Sequence, residues 1–223
     1  MLIENIKTAF TQYKNQAEVT GFSALREQAY HEFEKLGFPT TKNEEWKYTN
    51  LKALANKDFE STCVSSGNVK AFLKNALLNK ITANKLVFVN GTFNTELSEI
   101  IEKDNSIFIS NLAKARSLHA EIFNQHFGKY ANIENNALNS LNTALLSDGA
   151  FVYVPTNKTV EFPIFIVNIA DSSDVNVLNQ PRNLIIVENA TGIIRLKDIA
   201  KVEIGPEQEE YGWKLNGING VGI

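Results

Sequence analysis

The feature that most limits the fold is a change of hydrophobic period at Ser147-Asp148-Gly149. Before it, apolar residues recur three and four apart, as they do along one face of a helix. After it the chain reads "AFVYVP", "VEFPIFIVNIA" and "RNLIIVEN", short β-branched and aromatic runs separated by Pro, Asn, Asp and Ser. A pattern of period 3.6 and one of period 2 do not substitute for each other, so the two parts fold into different elements. The expected class is α+β, with a mainly helical region over 1–147, including a short hairpin, and a β-rich core beginning at 148. Successive short strands are compatible with a β-sandwich, a barrel or a β-helix, and periodicity alone does not choose among them.

Within the first part, Leu2, Ile6, Ala9, Phe10 and Tyr13 mark one amphipathic helix, and Phe22, Leu25, Ala29, Phe33 and Leu36 mark a second. Gly37 stands where a left-handed cap is expected, and Pro39 blocks continuation. Thr41 and Glu44 then have the spacing of a capping box, which predicts a further helix carrying Trp46 and Tyr48. "VKAFLKNALLNK" reads as another helix. "KLVFVNGTFN" reads as a hairpin, because Asn90-Gly91 suits a type I′ turn. "SIFIS" reads as a strand, and Leu112–Phe127 and Ala137–Leu146 as helices.

The 223 residues suffice for a sizeable core. Hydrophobic content of 43%, charged content of 21% and a net charge of −3 fit a globular protein, and the scattered lysines form no stripe for nucleic acid. The start carries Glu4 and no apolar core of signal type, and no apolar run is long enough to span a bilayer, so the expected address is the cytoplasm, away from membranes. The single cysteine, Cys63, forms no internal disulfide and has no neighbouring cation to lower its pKa.

Candidate chemistry is sparse. His31 reads as a structural or exposed helical residue. His119 and His126, seven apart on one predicted helix, share a face but are too far apart for joint chelation, for which a spacing of four is useful. One cysteine does not hold an iron–sulfur cluster, which usually takes four thiolates. No phosphate loop, dinucleotide fingerprint or nucleophile elbow is present. The expectation is therefore no catalytic, metal-binding or cofactor-binding residue, and a scaffold or interaction protein as the default.

The stretch "LGFPTTKNEEWKYTNL" carries a resemblance. Gly37, Pro39, Glu45, Trp46, Lys47, Tyr48 and Thr49 resemble the N-terminal signature of the SufD branch of the SufB/SufD family of iron–sulfur cluster assembly scaffolds. "LVFVNGTF", "LNTALLSDGAFVYVP", "EFPIFIVNI" and "PRNLIIVEN" resemble later segments of that family in order and spacing, over about residues 1–190. The resemblance implies a cytoplasmic, non-catalytic protein whose helical region leads into the first rungs of a right-handed parallel β-helix, here over 148–190 and truncated. It implies SufB and the ATPase SufC as partners of the full-length member, with the cluster handled by the wider complex. The family's docking residues lie beyond this chain, so none is carried over. The motif residues are expected to be structural anchors, with Trp46 and Tyr48 packed and Trp46→Ala costing about 3–5 kcal/mol if the ring is fully buried.

Residues 191–223 read differently. "GIIRLKDIAKVEIG" and "NGINGVGI" resemble the porter region of resistance–nodulation–division efflux pumps, which implies a chimera joined near 188–192. Two strands, Gly192–Leu196 and Lys201–Ile204, are expected there with Asp198 at the turn. Two further readings stay open: a β-helix carbohydrate-active or carbohydrate-binding module, for which Glu161, Asp171 and Asp174 are the available acids, and a fragment of a periplasmic transport assembly.

Overall fold

The computed structural model describes residues 2–16, 22–60, 69–70, 73, 80–171, 176–188, 213–215 and 218–220. Helix α1 (Leu2–Gln16) buries Leu2, Ile6, Ala9 and Phe10, the stripe its spacing predicts, while the side chain of Tyr13 lies outside the described residues. Helix α2 (Ser23–Leu36) buries Ala29, Tyr30 and Phe33. The Phe10 and Tyr30 rings stack at 3.9 Å between centroids. With Leu141, Ala144 and Leu145, near the end of the later helix α6 (Ala137–Ala144), these residues form one apolar core.

The capping box at Thr41 and Glu44 does not form. Asn43 instead turns its side chain back and accepts from the Thr40 backbone N–H at 2.8 Å. Only a 3-10 turn, Glu44–Trp46, follows before the short helix α3 (Lys52–Ala55). A side chain that bonds its own local backbone competes with helix growth, and a stretch without a buried face has nothing to offset the cost of nucleation. Gly37 has the expected positive φ of 64°, but its ψ of −170° is not that of a left-handed cap; its N–H donates to Phe33 O.

The hairpin forms as its turn sequence predicts. Strands β1 (Asn84–Val89) and β2 (Thr92–Phe93) pair antiparallel around Asn90 and Gly91, both at positive φ. Strand β3 (Phe108–Asn111) leads into α4 (Leu112–Leu118) and α5 (Ala120–His126). The single helix expected over 112–127 is broken at His119, which adopts φ −132° and ψ 43°. Strands β4 (Ala150–Val154), β5 (Ile164–Ile169) and β6 (Leu184–Val187) complete two three-stranded sheets, ordered β2-β1-β5 and β3-β4-β6.

Strands from both sides of residue 147 share each sheet. β1 pairs parallel with β5, and β4 pairs parallel with β6. Phe151 lies against Leu184, thirty-three residues further on. Glu60 pairs parallel with Val177, between β5 and β6 in sequence. The fold is α+β with mixed sheets; among the described residues no closed or stacked solenoid is laid out, so the expected β-helix is not established.

Both faces of each sheet are covered, which is why the strands read as near-continuous apolar runs. Leu86, Phe88, Ile109, Val152 and Val154 pack between the sheets. Val87, Val89 and Val167 face outward and meet Val69 and Leu73. Phe151, Leu184 and Ile186 pack under Leu112, Ala115 and Phe123 of α4 and α5. Of the "VKAFLKNALLNK" segment, residues 71, 72 and 74–79 lie outside the described residues. So do Cys63, Asp174, Asp198 and the strands expected at 192–204; of the tail, only an antiparallel hairpin, β7 (Trp213–Leu215) with β8 (Ile218–Gly220), is described.

Candidate functional site

Among the described residues, a dense polar node forms around Asp148, just before β4. Asn111 caps α4: its side-chain oxygen accepts from Lys114 N–H at 3.3 Å. Its amide nitrogen donates to Asp148 Oδ2 at 2.7 Å. Asp148 Oδ1 accepts from Leu112 N–H at 3.1 Å and from Gly149 N–H at 2.9 Å, and the carboxylate also accepts from Ala113 N–H. Asn111 and Asp148, with the Gly149 carbonyl that also accepts from Leu112 N–H at 2.8 Å, satisfy the three N–H groups that open α4, groups that have no partner within a helix.

Four further segments converge on this node. Arg182 N–H donates to Asp148 O at 3.2 Å. Arg182 Nε donates to Asn142 Oδ1 at 2.8 Å, and Asn142 Nδ2 donates to Pro181 O at 3.0 Å. Ala150 N–H donates to Asn183 Oδ1 at 2.9 Å. Ser147 Oγ donates to Gly91 O at 3.0 Å, and Arg26 of α2 donates to Leu146 O. Gly149 sits beneath the backbone of Arg182 so closely that a Cβ there would lie 1.6 Å from the Arg182 carbonyl oxygen.

Burial pushes the Asp148 carboxyl above its ordinary value, and the hydrogen bonds from Asn111, Gly149, Ala113 and Leu112 pull it part of the way back. Burial likewise lowers the Arg182 guanidinium. On the surface, the Tyr153 hydroxyl donates to Glu188 Oε1 at 2.8 Å and holds that carboxyl below its ordinary value. Lys158, donating to Asp104 Oδ2 at 2.8 Å, together with Ser106 holds the Asp104 carboxyl well below the carboxylate range. Tyr30 is pushed up to about 12 by burial and by its hydrogen bond to Glu34.

The sequence motif lies elsewhere and is presented outward. Pro39 is buried and Phe38 meets Phe33 edge-on at 5.3 Å, which seats the start of the loop. Glu45, Lys47 and Thr49 are exposed and Trp46 is half-buried. Tyr48 is 93% exposed, so the packing expected of it is not found. The turn is too short to bring both rings onto one buried face. Lys47 Nζ stands 5.7 Å from the Tyr48 ring centre and 4.0 Å from Glu44 Oε1. Trp46→Ala is accordingly expected to cost about 1–2 kcal/mol, below the value for a fully buried ring. Tyr48→Ala should change stability by no more than about 0.5 kcal/mol. Urea melting of the two variants checks both, and a Tyr48 loss as large as that of Trp46 would contradict the exposed placement.

The histidines do not converge. His31 is exposed with Nδ1 3.4 Å from Glu34 Oε2. The His119 ring lies 3.6 Å from that of Phe108, whereas His126 Nδ1 shares a hydrogen bond with Tyr130 Oη. Among the described residues, no group of three or more His, Cys, Asp or Glu is arranged to hold a metal ion, and no helix is long and apolar enough to cross a membrane. Asn111, Asn142, Arg182 and Asn183 were not legible as a set. The only local signals were the Ser-Asp-Gly turn and an asparagine preceding the apolar residues of α4.

The polar side chains of this node tie one segment of the chain to another, as in a framework protein. A family profile described as the SufBD protein N-terminal region matches residues 5–166, and the chain belongs to that family. It is 28% identical over 183 residues to an iron–sulfur cluster assembly SufBD family protein of Synechocystis, across 79% of this chain and 39% of the relative. It is 29% identical over 178 residues to the iron–sulfur cluster assembly protein SufD of Bacillus subtilis, across 76% of this chain and 39% of that protein. Escherichia coli SufD is 32% identical over 102 residues, 45% of this chain. The chain thus spans about two fifths of the length of the first two relatives. The foreign origin expected of residues 192–223 draws no support from these matches.

Proposed function

We propose that this chain is a SufD-like, non-catalytic scaffold component of iron–sulfur cluster assembly. It works in the cytoplasm with SufB and SufC, and the cluster is cargo of the wider complex rather than a cofactor held here. The observation that carries this reading is the family match across residues 5–166, supported by identity to two SufD proteins. Within the scaffold, residues 150–187 are the first coil of a right-handed parallel β-helix. Three parallel pairings support the coil: β1 with β5, Glu60 with Val177, and β4 with β6. The chain passes between sheets from β4 to β5 and back at β6, as a coil requires, and parallel crossovers are right-handed in nearly all cases.

Grafting tests the proposal. Residues 1–188 of this chain replace the matching part of Bacillus subtilis SufD, and the hybrid is introduced into a strain lacking SufD. Growth under iron limitation and recovery of SufB and SufC with the hybrid are expected. A folded hybrid that recovers neither partner would overturn the reading. This chain alone is expected not to restore growth; if it does, the working surface lies within these 223 residues.

A further inference from the structure

The edge of β1 that faces away from β5 is closed group by group. Asn84 and Asn90 direct their N–H groups at Pro163 O, just before β5, and at Ile169 O, at its end, so the odd-numbered residues between them face the other way. The hairpin covers only the end of that edge, at Val89 and Thr92. Residues 94–99 cover the rest. Lys85 N–H donates to Glu99 O and Glu99 N–H donates to Lys85 O at 2.8 Å. Asn94 N–H donates to Val87 O at 2.8 Å. The last group, Val87 N–H, donates to the Ser98 side chain, at 2.9 Å from Oγ.

The covering segment is itself fixed. Ser98 Oγ donates to Asn94 O at 2.6 Å, and Asn94 Oδ1 accepts from Glu96 and Leu97 N–H. Leu97 packs against the apolar group that includes Val87, Val89 and Val167. Lys85 Nζ lies 3.3 Å from Glu99 Oε2. A turn of the chain has been shaped to satisfy an edge without continuing the sheet.

We infer that residues 94–99 are an edge guard that prevents β1 from pairing with β1 of a second copy of this chain. β1 is six residues long, and its last four, Leu86, Val87, Phe88 and Val89, are apolar. An uncovered strand of that kind presents a row of donors and acceptors to any like strand. A self-complementary antiparallel pairing is the simplest closed association of identical edges. The inference does not depend on the proposed role in cluster assembly, and its failure leaves that role untouched.

Two variants of the full chain test it. Ser98→Ala removes the group that closes Val87 N–H, and the double variant S98A/E99P also removes the Glu99 N–H. Hydrogen exchange at Val87 should quicken about tenfold in Ser98→Ala, as for loss of a typical hydrogen bond, while Ser98→Thr, which keeps the hydroxyl, should exchange as the parent does. Exchange at Tyr153 and Ile186 should be unchanged in every variant, showing the second sheet intact. In sedimentation velocity the double variant should associate at a concentration at least about tenfold below the parent. Unchanged exchange at Val87 in Ser98→Ala would overturn the inference, as would a freely exchanging Val87 with no added association. Should the double variant fail to fold, Ser98→Ala decides by the same two readouts.

Discussion

Gly149→Ala is expected to abolish the native junction between the helical and strand-rich parts of the chain. The added Cβ would sit 1.6 Å from Arg182 O and 2.5 Å from its carbonyl carbon, both backbone atoms held by the start of β6. A flexible side chain could turn aside, but a strand anchored through Arg182 N–H to Asp148 O and through Asn183 to Ala150 N–H cannot do so cheaply. The loss should exceed the roughly 1–3 kcal/mol usual for an overpacked interior. Equilibrium urea unfolding, or the soluble yield where no folded variant is obtained, measures it. A variant within about 0.5 kcal/mol of the parent, the range of ordinary surface substitutions, would show that the two backbones are not so close.

Asp148→Ala is expected to be the next most damaging change. It removes the acceptor for the N–H groups of Ala113 and Gly149 and for the Asn111 amide, and one of the two acceptors of Leu112 N–H, which keeps the Gly149 carbonyl at 2.8 Å. Loss of a helix cap costs about 1 kcal/mol, and each buried donor left without a partner about 1–3 kcal/mol, so a total of about 2–4 kcal/mol is expected. Asp148→Asn should also destabilise, because all four of those partners are donors and an amide offers only one oxygen. The pH dependence separates charge from shape. Burial raises the folded-state value of Asp148 above the unfolded one, so the folded form binds the proton more tightly. Its contribution to stability is therefore fully present below the unfolded value and is lost as pH rises through the raised folded value. Denaturant melts across that window should show this fall in the parent and lack it in Asp148→Asn. An identical pH profile in the two proteins would mean that burial does not dominate the Asp148 titration.

The elements legible in the sequence were those set by neighbours along the chain. Asn90-Gly91 dictated the hairpin because both residues must take positive φ. Leu2, Ile6, Ala9 and Phe10 dictated α1 because their spacing makes one stripe. The motif loop was misread where a local alternative was available: Asn43 bonded Thr40, the helix did not form and Tyr48 was left outside. The break at His119 was missed because the apolar spacing runs on across it. The node was illegible for a different reason. Asn111 and Arg182 lie more than thirty residues from Asp148 on either side, and each residue of the node alone, Asn142 included, reads as an ordinary turn or surface residue. The antiparallel pairing of β3 with β4 and the parallel pairing of β4 with β6 bring them together, and no local period encodes a register between strands more than thirty residues apart.

That separation has a consequence in time. β1 lies against β5 with Asn84 opposite Ile164, so the four apolar residues that end β1 meet their parallel neighbour only after eighty more residues have been made. At synthesis rates of about 5–20 residues per second, the interval is roughly 4–16 s. During it, the hairpin and residues 94–99 are made at once and close one side of β1 by short-range bonds, while the other side waits. The order in which the chain leaves the ribosome thus makes the local closure available first and the long-range one last. A nascent chain halted before residue 164 should expose the β5-facing side of β1 alone.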